Sequence, residues 1–186
     1  MEKLLQWGIK NSDPEELAKA TSNEAVKDLD PEVIDAILGK SEATMMKENF
    51  QVIIDENVDL EQREVAFDNL EMLVEHIDNA KNLTPLKLWA PLIELLKNEH
   101  SVIRKYTAWT LGTATQNNPD AQEAFIQHNG FEALLQAMEK ESEKEVLIKL
   151  IYALSCATRH HQKSLVKLQT LNGFQLIQNI VNRKGK

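Results

Sequence analysis

Residues 109–115 read Trp109-Thr110-Leu111-Gly112-Thr113-Ala114-Thr115, and residues 152–158 read Tyr152-Ala153-Leu154-Ser155-Cys156-Ala157-Thr158. The two stretches align without a gap at a shift of 43 residues. At the same shift Asn129-Gly130-Phe131 falls on Asn172-Gly173-Phe174, and Leu134 falls on Ile177. Six identities at one offset, with small or apolar matches between them, exceed what a shared helical pattern supplies. A weaker copy precedes them. At a shift of 41, Arg63 meets Arg104 and Leu70 meets Leu111. After a one-residue gap, at a shift of 42, Trp89 meets Phe131 and Leu92 meets Leu134.

A period of 41–43 residues lies in the range of HEAT and armadillo arrays and exceeds that of tetratricopeptide or ankyrin units. The fold expected is therefore all-α, an armadillo/HEAT-like right-handed α-solenoid of about three repeats. The units fall near residues 59–98, 99–141 and 142–184. Residues 60–77 carry Leu60, Val65, Phe67, Leu70, Leu73, Val74 and Ile77 at three-and-four spacing, an amphipathic helix. Residues 102–115 and 146–158 repeat the pattern. Gly112, Ala114, Cys156 and Ala157 recur late in these helices, and small side chains allow helices to approach closely. Asn117-Asn118-Pro119 reads as a helix stop, since the residue before proline is pushed out of the α region. Pro91 is expected in the first turn of its helix, where a missing N–H costs nothing. Gly130 and Gly173 are expected to take the left-handed conformation that separates a short helix from the last helix of each unit. Residues 1–40 read as a loosely ordered N-terminal segment with short helical stretches, and 41–186 as the folded array.

Composition agrees with a helical globular chain. Of 186 residues, 42% are hydrophobic and 27% charged, with only six glycines and five prolines. A sandwich or barrel with many tight turns would need more of both. One cysteine excludes a disulfide framework and a cysteine-based zinc site within one chain. No stretch approaches the ~20 apolar residues that span a bilayer. Met1 to Lys10 holds too short an apolar run for a secretory signal, so a cytoplasmic location is expected. The net charge of −8 divides unevenly, −13 over residues 1–80 and +5 over 81–186. An acidic whole argues against nucleic acid as the partner.

Groups that could carry chemistry are few. There is no glycine-rich loop followed by Lys and Ser or Thr to cradle phosphate. Cys156 and His160 are four residues apart, but a nucleophile needs an orienting third group and none is indicated. His160-His161 reads as a polar helix end rather than a metal site. Glu15-Glu16 and Glu141/Glu145 read as solvated helix faces rather than general acid and base. No catalytic residue, metal or cofactor is expected. Leu4, Leu5 and Trp7 form an apolar cluster in an acidic segment and suggest an interaction element.

The array resembles the armadillo-type nucleotide exchange factors of the 70-kDa heat-shock chaperone. That family includes the human heat-shock-protein-binding protein and the fungal Fes-type factors. Four blocks carry the resemblance: Met1-Glu2-Lys3-Leu4-Leu5-Gln6-Trp7; Ala66-Phe67-Asp68-Asn69-Leu70-Glu71-Met72-Leu73 with Ile77-Asp78-Asn79-Ala80; Leu111-Gly112-Thr113-Ala114-Thr115-Gln116-Asn117; and Tyr152-Ala153-Leu154-Ser155-Cys156 with Leu171-Asn172-Gly173-Phe174. The resemblance implies a cytosolic co-chaperone that is not an enzyme and acts as a monomer. Its groove would embrace the chaperone's nucleotide-binding domain and open the ADP cleft. It also implies that the N-terminal segment, with Leu4, Leu5 and Trp7, imitates a client peptide. On this reading Asp78, Asn79 and Ala80, then Gln116, Asn117 and Asn118, then Arg159 and His160, follow one edge of the groove. Family members carry about four repeats, so three imply a shortened groove. A generic armadillo adaptor is the competing class. The Trp and Asn ladder of peptide-carrying armadillos is absent here, because Trp89 and Trp109 fall on different helices of their units.

Overall fold

The structure, a computed structural model, describes residues 39–184. From Glu42 onward they form one compact unit. Ten α-helices follow one another, with no strand among the described residues: α1 (Glu42–Ile54), α2 (Leu60–Val74), α3 (Ile77–Asn82), α4 (Trp89–Glu94, continued by a 3-10 turn over Leu95–Lys97), α5 (Ser101–Thr115), α6 (Pro119–Gln127), α7 (Gly130–Lys140), α8 (Lys144–Thr158), α9 (Gln162–Thr170) and α10 (Gly173–Lys184).

The helices fall into three rows. The long helices α2, α5 and α8 pack side by side, with α1 covering α2; the α5–α8 seam is the most extensive in the molecule. The short helices α3, α6 and α9 form a second row, and α4, α7 and α10 a third. This is the layout of an armadillo-like α-solenoid, in which each unit touches only its neighbours. The core runs through all three units: Phe67, Leu70, Leu83, Trp89, Ile103, Leu111, Phe125, Phe131, Leu134, Met138 and Leu150 are all fully enclosed.

Local chemistry sets the helix ends. Asp59 Oδ1 accepts the Gln62 N–H at 2.9 Å and caps α2. Asn118 Oδ1 accepts the Ala121 N–H and caps α6, with Pro119 in its first turn. Pro91 lies in the first turn of α4. The residue missing from the first repeat has a structural cause. The turn between α2 and α3 has two residues, Glu75 and His76, whereas α5 to α6 and α8 to α9 each use three. The extra residue is Asn117 or His160, each in the left-handed region with φ 52° and 56°.

Several expectations change. The stretch 60–77 is not one helix: it breaks at Glu75-His76, and Ile77 begins α3 with its side chain exposed. Val65 also faces out. The left-handed residues at the later turns are Asn129 (φ 57°) and Asn172 (φ 54°), not the glycines after them. Asparagine tolerates that region better than most side chains. Gly130 and Gly173 instead open α7 and α10, and their need for glycine is steric. A Cβ on Gly130 would run into the Phe125 ring, and one on Gly173 into the Leu168 side chain. Phe125 is enclosed between Trp89 and Phe131, with ring centroids at 6.3 and 5.2 Å, and has nowhere to go. Gly130→Ala gains at most about 1 kcal/mol of helix propensity and incurs about 1–3 kcal/mol of overpacking. A net loss is expected, read as a lower urea midpoint with an unchanged slope. In α10, Ile180 is buried and Leu176 half-buried, while Phe174 and Val181 point outward.

Candidate functional site

The α2–α5–α8 row presents a continuous side-chain surface. Contacts climb in step along the three helices, Phe67 with Tyr106 and Glu71 with Thr113, then Trp109 with Lys149 and Thr113 with Tyr152, so the helices run parallel. At the centre Tyr106 stacks on buried Phe67 (5.7 Å) and on Trp109 (5.9 Å). The Lys149 ammonium lies 3.4 Å from the Trp109 ring centroid and 5.7 Å from that of Tyr152, a cation–π sandwich. Thr113 donates to Glu71 at 2.6 Å, and the Tyr152 hydroxyl donates to Gln116 Oε1 at 3.1 Å. Gly112 makes the seam possible: a Cβ there would sit 2.5 Å from the Tyr152 ring and 3.1 Å from Ala153 Cα.

Electrostatics follow from half-burial. Burial pushes the Tyr106 hydroxyl up, and Asp68 and Glu64 add to the rise. Burial lowers the Lys149 ammonium; Glu71 opposes this and Lys105 reinforces it. Burial raises Tyr152 as well, and also the Cys156 thiol, so Cys156 is no poised nucleophile. The surface thus sets an aromatic and lysine strip beside a row of acids on α2. It has the make-up of a protein-binding hot spot, rich in Trp and Tyr, and offers no converging acid, base and nucleophile.

The sequence-derived groove edge divides. Asp78, Gln116, Asn117, Arg159 and His160 are exposed, and Gln116 joins the α5–α8 face through Tyr152. Asn79, Ala80 and Asn118 are buried and do not lie on the surface. Asn79 Nδ2 donates to the Leu73 carbonyl at 3.0 Å, near the end of α2, and Ala80 packs into the core. Asn118 caps α6 and donates to the Ile77 carbonyl at 3.2 Å. Each buried amide thus finds a backbone carbonyl within the fold. Gln122, which the sequence did not single out, does the same across units, donating to the Cys156 and Arg159 carbonyls at 2.9 and 3.0 Å. Leu4, Leu5 and Trp7, and the Glu15-Glu16 pair, lie outside the described residues.

Glu141 and Glu145 are each met by a base of α5. Glu145 and Lys105 form an exposed pair at 3.5 Å. Glu141 is a correction, because it is buried and takes a two-pronged bond from Arg104 rather than lying on a solvated face. Cys156 is buried and His160 exposed in a left-handed turn, and His161 Nδ1 meets Ser164 Oγ at 2.7 Å. Among the described residues no group of His, Cys, Asp or Glu is placed to hold a metal, and no helix is long and apolar enough to cross a membrane. What sequence reasoning missed is the strip Tyr106, Trp109, Lys149 and Tyr152. Its signal was present: Trp109 and Tyr152 are repeat equivalents, and large aromatics kept at a half-exposed position twice are not core.

The described residues thus form an all-helical repeat array with an aromatic face. The comparisons carry this further. Residues 79–186 match the SIL1/FES1/HPBP1 C-terminal domain, and residues 1–83 match the nucleotide exchange factor Fes1 model. The chain belongs to the SIL1/FES1/HPBP1 family. It is 42% identical to the Hsp70 nucleotide exchange factor fes1 of Schizosaccharomyces pombe, over 85% of this chain and 55% of that protein. The corresponding figures for FES1 of Saccharomyces cerevisiae are 39%, 98% and 63%. For FES1 of Coccidioides immitis they are 38%, 92% and 83%. The chain thus spans little more than half the length of the first two. A crystal structure of an engineered protein shares the fold at a TM-score of 0.64 and 19% identity, over 85% of this chain and 59% of that one.

Proposed function

We propose that this chain is a nucleotide exchange factor for a cytosolic 70-kDa heat-shock chaperone. It docks on the chaperone's nucleotide-binding domain through the α2–α5–α8 face. The observation that carries the reading is the alignment with relatives named for this activity, which in the Saccharomyces cerevisiae case covers 98% of the chain and hence the whole face. Trp109, Tyr106 and Tyr152 are its anchors, with Gln116, Asn117, Arg159, His160 and Asp78 on the rim. Such a factor needs no catalytic group and acts as a monomer. It binds the open chaperone better than the ADP-closed one, and ADP must weaken its binding by the same ratio. The N-terminal segment, through Leu4, Leu5 and Trp7, competes for the chaperone's client groove.

Stopped-flow release of a fluorescent ADP analogue from a 70-kDa chaperone tests this. Release should accelerate with rising concentration of the chain. Trp109→Ala should raise the concentration needed by about tenfold or more, the loss typical of a hot-spot aromatic, while the circular dichroism spectrum stays helical. Binding without acceleration would mark a docking protein rather than an exchange factor. No binding at all would leave a generic armadillo adaptor.

A further inference from the structure

At the centre of the α2–α5–α8 face Trp109 keeps one polar group that the chain leaves unmatched. The indole nitrogen is a donor only, and an N–H taken out of water needs an acceptor. Trp89 meets that need inside the fold, donating to Thr84 Oγ1 at 3.1 Å. The indole N–H of Trp109 has no acceptor among the described residues. It is not sealed in either: Trp109 is half-buried, and its nitrogen stays open to water. Polar groups around it are matched. Thr113 donates to Glu71 at 2.6 Å, the Tyr152 hydroxyl to Gln116 Oε1 at 3.1 Å, and Thr110 to the Tyr106 carbonyl at 2.9 Å.

The ring itself is already engaged. Tyr106 stacks on it with centroids 5.9 Å apart, and the Lys149 ammonium lies 3.4 Å from its centroid. A partner's lysine or arginine would have to displace Lys149 or stand beside it, which like charge disfavours. What Trp109 has left to offer is its edge, with the N–H. A hot-spot aromatic lies where docking removes water most completely. An N–H that loses its water there and finds no acceptor weakens binding instead of anchoring it. We infer that the chaperone surface docked on Trp109 presents an oxygen acceptor, a carbonyl or a carboxylate, to the indole N–H. This bond, and not ring burial alone, then selects the partner. The inference rests on the docking face proposed above.

The test measures binding of the full chain to a 70-kDa heat-shock chaperone by calorimetry. The parent is compared with Trp109→Ala, Trp109→Phe and an isostere of tryptophan at position 109 that carries sulfur in place of the N–H. The isostere keeps the fused ring, the Tyr106 stack and the Lys149 contact, and loses only the donor. It should bind about three- to tenfold more weakly than the parent, the usual worth of one hydrogen bond. Trp109→Phe should be weakened at least as much. In the isotope-labelled parent, the Trp109 indole signal is assigned by its absence from Trp109→Phe. It should move downfield on binding and become protected from exchange with water. A loss that shrinks with added salt identifies a carboxylate drawn by Lys149, and a loss indifferent to salt identifies a carbonyl; both support the inference. If the isostere binds as tightly as tryptophan while Trp109→Ala binds weakly, the inference is overturned and the docking face stands. An indole signal that binding leaves unmoved and exchanging overturns it as well, whatever the variants do to folding. If Trp109→Ala also binds like the parent, the docking face is misplaced and the inference falls with it.

Discussion

Replacing Glu141 with Gln should destabilise the array by about 3 kcal/mol, the lower part of the range for breaking a buried ion pair from one side. Arg104 Nε donates to Glu141 Oε2 at 2.8 Å and Arg104 Nη2 donates to Oε1 at 3.0 Å, a two-pronged bond joining α5 to the C-terminal end of α7. Arg104 Nη1 also donates to the Asn98 and Glu99 carbonyls at 2.8 and 2.9 Å. The Ser142 and Glu143 N–H groups both donate to Glu141 Oε1 at 3.0 Å. An amide in place of the carboxylate removes the charge and turns one acceptor into a donor among donors. The Glu141 side chain is 3% exposed, so water cannot compensate it; that of Arg104 is 19% exposed, which keeps the loss at the low end.

The same pair sets a pH dependence. Burial works to raise the Glu141 carboxyl, but the Arg104 guanidinium and the Glu143 and Ser142 N–H groups outweigh it and hold it below the ordinary range. A carboxyl depressed in the folded state contributes stability above its unfolded value of about 4.3, and that contribution is lost as pH falls through the folded value. The gap in urea stability between the parent chain and Glu141→Gln should therefore be full at neutral pH and shrink in acid below about pH 4. A gap that stayed constant down to strong acid would mean that packing, not charge, makes the difference. The double change Arg104→Met with Glu141→Leu should recover most of the loss, since apolar replacement of a whole buried pair is often neutral.

The fold was legible because solenoid repeats write the same packing problem into the chain several times. Leu111 and Leu154, Asn129 and Asn172, and Gly130 and Gly173 each solve one contact twice, and the solution shows as an identity. The one-residue gap in the first copy was visible as a shift from 41 to 42; only the structure shows that it is the absent left-handed residue between α2 and α3. The site was less legible. An asparagine near a helix end reads alike whether it reaches a partner or a neighbouring carbonyl, and Asn79 and Asn118 do the second. The Arg104–Glu141 bond spans 37 residues, and nothing local distinguishes Glu141 from exposed Glu139 or Glu143. Trp109 and Tyr152 fall on one another in the repeat, but the alignment alone does not mark them as a surface. Their role comes from Lys149 lying between them, which only the parallel packing of α5 on α8 arranges.

Trp89→Ala should cost about 3–5 kcal/mol, the usual loss for truncating an enclosed aromatic, and should also change how the array unfolds. Trp89 begins α4, has no solvent exposure, and donates its indole N–H to Thr84 Oγ1 at 3.1 Å. Its ring meets the edge of Phe125, which in turn meets Phe131, so a three-ring stack ties the first unit to the second. Stability in a solenoid is close to a sum of unit and nearest-neighbour terms. Removing the ring removes both core from the first unit and a large part of the interface term. The segment 42–97 then lacks the support that made it unfold together with the rest. Hydrogen exchange should show its protection falling well below that of α5–α10, and the urea transition should broaden or split. Trp89→Phe keeps an aromatic against Phe125 and loses only the outer ring and the bond to Thr84, so it should retain a single transition. A single, uniformly lowered transition for Trp89→Ala would show that the α2–α5 seam alone couples the units. The docking face would then lose stability as a whole rather than shedding its α2 edge first.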